Sequence, residues 1–210
     1  MSNKKIIWFF DDDERQVRTY QSQLNNGFKH SEEIEVIAEK AYPHKEDYLT
    51  ILQNPLTVCI IVDQRLKEGG EVDHTGIELS SFLRAIDPKL PIYILTNFAY
   101  ASSDYKGSEW AVEDIISKGD LADPEKLGIL IARLLRRIDV YIGIIGEREK
   151  RFQRLFRKSL KEELSNEEIE ELEQLNYLRT SINNLKEMPL LAHLEELLEK
   201  IQKLSDTSEK

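Results

Sequence analysis

Between Lys4 and about Ile138, five short runs rich in Ile, Val and aromatic residues alternate with longer amphipathic stretches. Strands buried on both faces read as near-continuous apolar runs, and parallel neighbours need a crossover helix between them, so this alternation points to βαβ units around a parallel sheet. The runs are Lys5–Phe10, Glu33–Glu39, Thr57–Asp63, Leu90–Thr96 and Glu113–Lys118, and each gives way to polar or glycine-containing sequence. An α/β, doubly wound sheet of five strands is expected.

The intervening stretches carry helix signals. The first spans about Glu14 to Asn26, with Val17, Tyr20 and Leu24 on one face and Gly27 at its end. A second lies near His44 to Gln53 and stops at Pro55. A third starts at Thr75, whose spacing to Glu78 is that of a capping box; it points Leu79, Phe82, Leu83 and Ile86 inward and closes at Asp87–Pro88. The segment Ala99–Gly107, rich in serine and tyrosine, is expected to be a short or mobile helix.

After Asp123–Pro124 the composition changes to that of a long helix of about 40 residues without proline, which Gly143 and Gly146 weaken locally. Ser165 and Glu168 form a second capping box, opening a helix expected to bury Ile169, Leu172, Leu175, Leu178, Ile182 and Leu185. Pro189 breaks it, and Leu190, Leu194, Leu197, Ile201 and Leu204 mark a third amphipathic helix. The expected division is a core domain over residues 1–138 and a helical extension over 139–210, which 210 residues can supply.

A net charge of -10 disfavours nucleic acid and anionic lipid as partners. The basic run from Arg148 to Lys161 is followed by an acidic one from Glu162 to Glu173, which reads as a charge-matched helical hairpin. Cys59 is the sole cysteine, so no intramolecular disulfide is possible, and its apolar neighbours predict a buried core thiol. The apolar run after Lys4 and Lys5 is too short for a signal peptide, and none approaches the roughly 18 residues of a membrane span, so a cytoplasmic protein is expected. His30, His44, His74 and His193 show no metal-ligand spacing; Trp8 and Trp110 read as packing residues.

In an open parallel sheet the ligand site lies beyond the carboxyl ends of the strands. Those ends are polar here: Asp11–Asp12–Asp13 after the first run, Asp63 after the third, Thr96 after the fourth and Lys118 after the fifth. With strand order 2-1-3-4-5 these ends converge. Clustered carboxylates repel unless a hard cation holds them, and Mg2+ takes one or two carboxylates while keeping exchangeable waters. Asp63, on a different strand from the acidic cluster, is then available as nucleophile toward a phosphoryl group. Lys118 and Mg2+ would offset the developing charge, and Thr96 would donate a hydrogen bond to an oxygen.

In order, strand position and spacing, the acidic cluster, "IIVDQRL" around Asp63, "ILTN" around Thr96 and "IISKG" around Lys118 resemble the receiver domain of two-component response regulators. The resemblance covers about residues 4 to 138. It implies a flavodoxin-like fold and phosphotransfer to Asp63 from a histidine kinase or phosphotransfer protein, with the backbone carbonyl near Arg65 completing the Mg2+ shell. The acidic pair is placed on Asp12 and Asp13, because that register aligns Val17, Tyr20 and Leu24 with the buried helix face; Asp11 with Asp12 remains open. The signal is expected to pass to a protein partner, or to a second copy, through the C-terminal helices.

The sequence also departs from the family pattern. The loop from Gln64 to His74 is longer than usual, Gly119 follows the lysine where proline is usual, Ile115 stands at the switch-aromatic position, and Asn97 follows the threonine. One alternative is a receiver-like interaction module without physiological phosphorylation. A second is a phosphatase resembling the haloacid dehalogenases, in which Asp11 is the nucleophile and Asp13 the general acid/base. His193 superficially resembles a phosphoacceptor histidine on a helix, but at the edge of an apolar stripe it reads as a surface residue.

Overall fold

A computed structural model describes residues 4–97, 99 and 108–184. The chain divides into two compact units, Met1–Arg154 and Leu155–Lys210. In the first, five parallel strands, β1 (Lys5–Asp11), β2 (Ile34–Lys40), β3 (Thr57–Val62), β4 (Ile92–Thr96) and β5 (Asp114–Ser117), form one sheet in the order β2-β1-β3-β4-β5. This is the flavodoxin-like doubly wound arrangement expected from the sequence, and it places the reversal of strand order between β1 and β3.

Successive residues of a strand face opposite sides, and β1 uses both. Trp8 and Phe10 stack with ring centroids 6.1 Å apart. On that side Phe10 meets Tyr48 edge-on at 4.8 Å, and the Trp8 indole donates to the Thr57 hydroxyl at 3.0 Å. Phe9 points the other way, against Tyr20 of α1 (Glu14–Gly27). Burial of both faces explains why the run is apolar without alternation. Cys59, in the middle of β3, is fully buried, and desolvation raises its thiol far above the ordinary value.

Helix α1 begins at the Asp13 N-cap and packs against α4 (Pro124–Ser159) at Gly27, where an added Cβ would lie 2.8 Å from the Ile131 side chain. The expected second helix is shorter than its sequence signal: a 3-10 turn over Lys45–Tyr48 leads into a single α-turn, α2 (Leu49–Leu52). Helix α3 (Gly76–Ile86) has the full capping box between Thr75 and Glu78 and ends at Asp87, as read. Segment 98–107, apart from residue 99, lies outside the described residues, and with it the expectation for Ala99–Gly107.

Within the first unit α4 is tied down by polar contacts. Tyr141 donates to the Asp87 carboxylate at 2.7 Å in a buried bond. Glu113 accepts from both Arg137 at 2.9 Å and Arg84 at 3.2 Å, and Arg84 also donates to the carbonyls of Ala111 and Pro88. Trp8 is packed as expected, whereas Trp110 is 64% exposed, a correction to its reading as a packing residue. Its position in a three-residue 3-10 turn just before β5 puts the ring outside the sheet's covered faces.

In the second unit Ser165 caps α5 (Asn166–Asn184) through a capping box with Glu168, and Lys158 donates to both Glu168 oxygens, at 2.7 and 2.8 Å. The charge-matched contact between basic and acidic runs is thus present. The expected apolar burial is not: Ile169 is exposed, and Leu172 and Leu175 are only half-buried. The side chains of residues 178–184, the helix after Pro189 and His193 lie outside what the structure describes.

Candidate functional site

The site lies at the carboxyl edge of the sheet, where β1 and β3 end side by side. Strand β1 runs one residue further than its apolar run, so Asp11 is the last strand residue, paired with Lys40 of β2. Its side chain points into the protein and is fully buried. Asp63 follows β3, its amide bonded to the Phe10 carbonyl at 2.9 Å, and is 5% exposed. Thr96 ends β4 opposite Ser117, so Lys118, the next residue, emerges beside it; both are buried.

The Lys118 ammonium links these ends. It donates to Asp11 Oδ2 at 2.7 Å, to Asp63 Oδ1 at 2.8 Å and to Gln16 Oε1 at 2.5 Å, and lies 5.1 Å from the centroid of the Tyr20 ring. The second Asp63 oxygen accepts from the Arg65 amide at 2.6 Å. One cation therefore serves two buried anions. Burial pushes both carboxyls above their ordinary range, opposed by Lys118 in each case. Burial alone would depress the lysine, but the Asp63 charge and the hydrogen bonds to both carboxylates outweigh it and hold the ammonium above the usual lysine value.

The three aspartates of the first cluster separate by role. Asp11 joins Lys118 and Asp63, and its other oxygen accepts from the Asp13 amide at 3.0 Å. Asp12 is half-exposed, with the Gly69 backbone against its carboxylate, where an added Cβ would lie 2.9 Å from Oδ2. Asp13 does not join them: exposed, it accepts from the Arg15 amide at 2.8 Å as the cap of α1. The helix-face argument that favoured Asp12 with Asp13 holds for the helix, since Val17 and Leu24 are buried, but says nothing about which carboxylate turns inward. The same geometry weakens the phosphatase alternative, because Asp13 is engaged in capping.

The long loop after Asp63 is stapled down at several points. Gln64 accepts from the Ile77 amide through its side chain and from the Gly76 amide through its backbone, both at 3.0 Å. A Cβ on Gly76 would lie 2.3 Å from the Asp63 carbonyl oxygen, so only glycine allows α3 to approach the Asp63 backbone this closely. The Arg65 carbonyl accepts from the Glu68 amide at 3.1 Å. Further along, Asp73 donates its amide to the Pro43 carbonyl, and its carboxylate bonds His44 at 2.7 Å and His74 at 2.9 Å. Those two bonds hold the Asp73 carboxyl down at about 2.

The donor set suits a small hard cation: two buried carboxylates from neighbouring strands share one ammonium, with a third carboxylate at the rim. Among the described residues no group of three or more His, Cys, Asp or Glu side chains is arranged to hold a metal by itself. Mg2+ does not require one, since it combines one or two carboxylates with a carbonyl and waters. The sequence reading missed Gln16, Gly69 and Gly76. Gly76, one residue after the cap Thr75, carried the only sequence signal, as glycine is otherwise unfavourable in a helix.

No family model matches the chain, and no curated protein does. Among solved structures the chain is similar to a sensor protein from a Polaromonas species, at 20% identity and TM-score 0.49 over 65% of this chain and 98% of that one. It is also similar to the non-phosphorylated HemR receiver domain of Leptospira biflexa, at 23% identity and TM-score 0.44 over 64% and 94%. A third is the Thermotoga maritima response regulator TrrA in complex with Mg2+ and BeF, at 18% identity and TM-score 0.46 over 62% and 98%. At these levels the fold assignment rests on the strand order and crossovers themselves.

Proposed function

We propose that this chain is a phosphoacceptor of a two-component or phosphorelay system, in which Asp63 receives a phosphoryl group from a histidine kinase or phosphotransfer protein. The observation that carries the reading is the Lys118 ammonium shared by Asp11 and Asp63 at the strand-order reversal. A buried lysine there is poised to follow charge from a carboxylate to a phosphoryl oxygen.

In the transfer, one Asp63 carboxylate oxygen forms a bond to phosphorus as the P–N bond of a phosphohistidine breaks. The leaving nitrogen keeps the electron pair and takes up a proton, and Asp63 ends as an acyl phosphate, with no change of oxidation state. Lys118 turns toward a phosphoryl oxygen, and the Thr96 hydroxyl donates to another. Asp63 and one carboxylate of the Asp11–Asp12 pair, with the Arg65 backbone carbonyl and waters, would hold Mg2+, while Asp13 stays with the helix. When bound, Mg2+ supplies positive charge against the phosphoryl oxygens and the carboxylates.

The output runs through the helical segment, where phosphorylation changes pairing with a second copy or another protein. Exposure of Phe156, Leu160, Ile169 and Tyr177 supports a surface of that kind. Nucleic acid and membrane are not partners in this reading; among the described residues no helix is long and apolar enough to cross a membrane. The test is intact mass after incubation with Mg2+ and phosphoramidate. One added phosphoryl group in the wild type and none in Asp63→Ala supports the proposal; an unmodified wild type leaves the receiver-like interaction module standing.

A further inference from the structure

Gln16 occupies an unusual place for its helix position. Asp13 caps α1, so Gln16 stands three residues on, where a glutamine ordinarily reaches back to the amide of the cap residue. Here the Asp13 amide is taken by Asp11 Oδ1 at 3.0 Å, and the Gln16 side-chain oxygen accepts from Lys118 instead. An ammonium has three hydrogens, and the three acceptors are Asp11, Asp63 and Gln16, of which only Gln16 is uncharged.

We infer that Gln16 is a positioning residue for phosphoryl transfer, holding the Lys118 ammonium between β1 and β3 so that it does not settle on Asp11. The inference rests on the reading of Asp63 as phosphoacceptor. As the acyl phosphate forms, the Asp63 oxygen loses its full charge, and Asp11 becomes the stronger pull on the ammonium. A neutral acceptor on the α1 side keeps one hydrogen engaged away from Asp11 and leaves another free for the phosphoryl group. An anion in its place would hold the ammonium too but repel an anionic donor.

The experiment measures the rate of Asp63 modification by phosphoramidate against donor concentration, with Mg2+ saturating. It compares the full-length wild type, Gln16→Met, Gln16→Ala and Gln16→Glu, with fold checked by Trp fluorescence in urea. Gln16→Met and Gln16→Ala remove the acceptor and should lower the maximal rate about tenfold with the half-saturating donor concentration unchanged, the scale of one lost hydrogen bond to a charged group. Gln16→Glu keeps an acceptor at the same reach; its maximal rate should return to within about threefold, with more donor needed for half-saturation. Equal rates in wild type and Gln16→Met, or equal slowing in Gln16→Met and Gln16→Glu, would overturn the inference alone. A wild type that takes no phosphoryl group would overturn the phosphoacceptor reading and this inference with it.

Discussion

Replacing Lys118 with methionine removes the ammonium shared by two buried carboxylates while keeping the length of the side chain. Asp11 is fully buried and Asp63 nearly so, so neither is rescued by solvent. The folded variant can avoid facing two charges by holding one shared proton, as close carboxylate pairs do. Keeping a carboxyl with an ordinary pKa of about 3.9 protonated at pH 7 costs about 4 kcal/mol, at about 1.4 kcal/mol per pH unit. That agrees with the roughly 3–5 kcal/mol lost when one partner of a buried pair is removed. The sign follows from linkage: the folded variant binds a proton that the unfolded chain does not, so its stability rises as pH falls. Lys118→Met should therefore lie about 4 kcal/mol below the wild type at pH 7, and only about 1.5 kcal/mol below it at pH 5. Urea titrations followed by tryptophan fluorescence suit the measurement, because both tryptophans, Trp8 and Trp110, belong to the unit that holds the site. A gap below about 1 kcal/mol, or one that stays constant between pH 5 and pH 7, would refute the electrostatic account of the site.

Other perturbations test separate parts of the structure. Gly76→Ala forces a methyl onto the Asp63 carbonyl and should cost about 1–3 kcal/mol of unfolding free energy in urea titrations while slowing phosphorylation; unchanged stability would show that the loop yields freely. Mg2+ at about a hundredfold its dissociation constant should add about 2.7 kcal/mol to wild-type stability and much less to Asp63→Asn; equal gains would remove Asp63 from the metal shell. In a histidine NMR titration, the hydrogen bond and charge of Asp73 should raise His44 above its ordinary pKa, whereas burial should lower His74. The His44 contribution is thus present at low pH and lost as pH rises through its folded value, and the His74 contribution is lost as pH falls; Asp73→Asn should lower the His44 value.

The five strands and their order were legible because burial on both faces leaves a mark in composition: Ile60, Ile61 and Val62 had nowhere to be but inside. The cap of α3 was legible because its contacts lie within four residues, Thr75 to Glu78. The role of Asp11 was not, because what turns a carboxylate inward is an ammonium 107 residues away, and an aspartate at a strand end looks the same whether it faces core or water. Gln16 was silent for the same reason, its partner being 102 residues distant. Helix α2 came out shorter than its signal at its start, where Lys45–Tyr48 winds as a 3-10 turn, while its end before Pro55 is where the sequence put it. In α5 the helix and its Ser165 cap were read correctly but the apolar face was not: among its described residues polar and apolar side chains hardly separate onto different faces, and Ile169 remains exposed.

The central claim is that Asp63, and neither Asp11 nor Asp13, carries the phosphoryl group. Borohydride reduction after incubation with Mg2+ and phosphoramidate converts an aspartyl phosphate to homoserine, and peptide mass spectrometry then reads which position changed. The account predicts homoserine at position 63 alone, dependent on both Mg2+ and donor. Homoserine at position 11 or 13, or at 63 without either reagent, would contradict it.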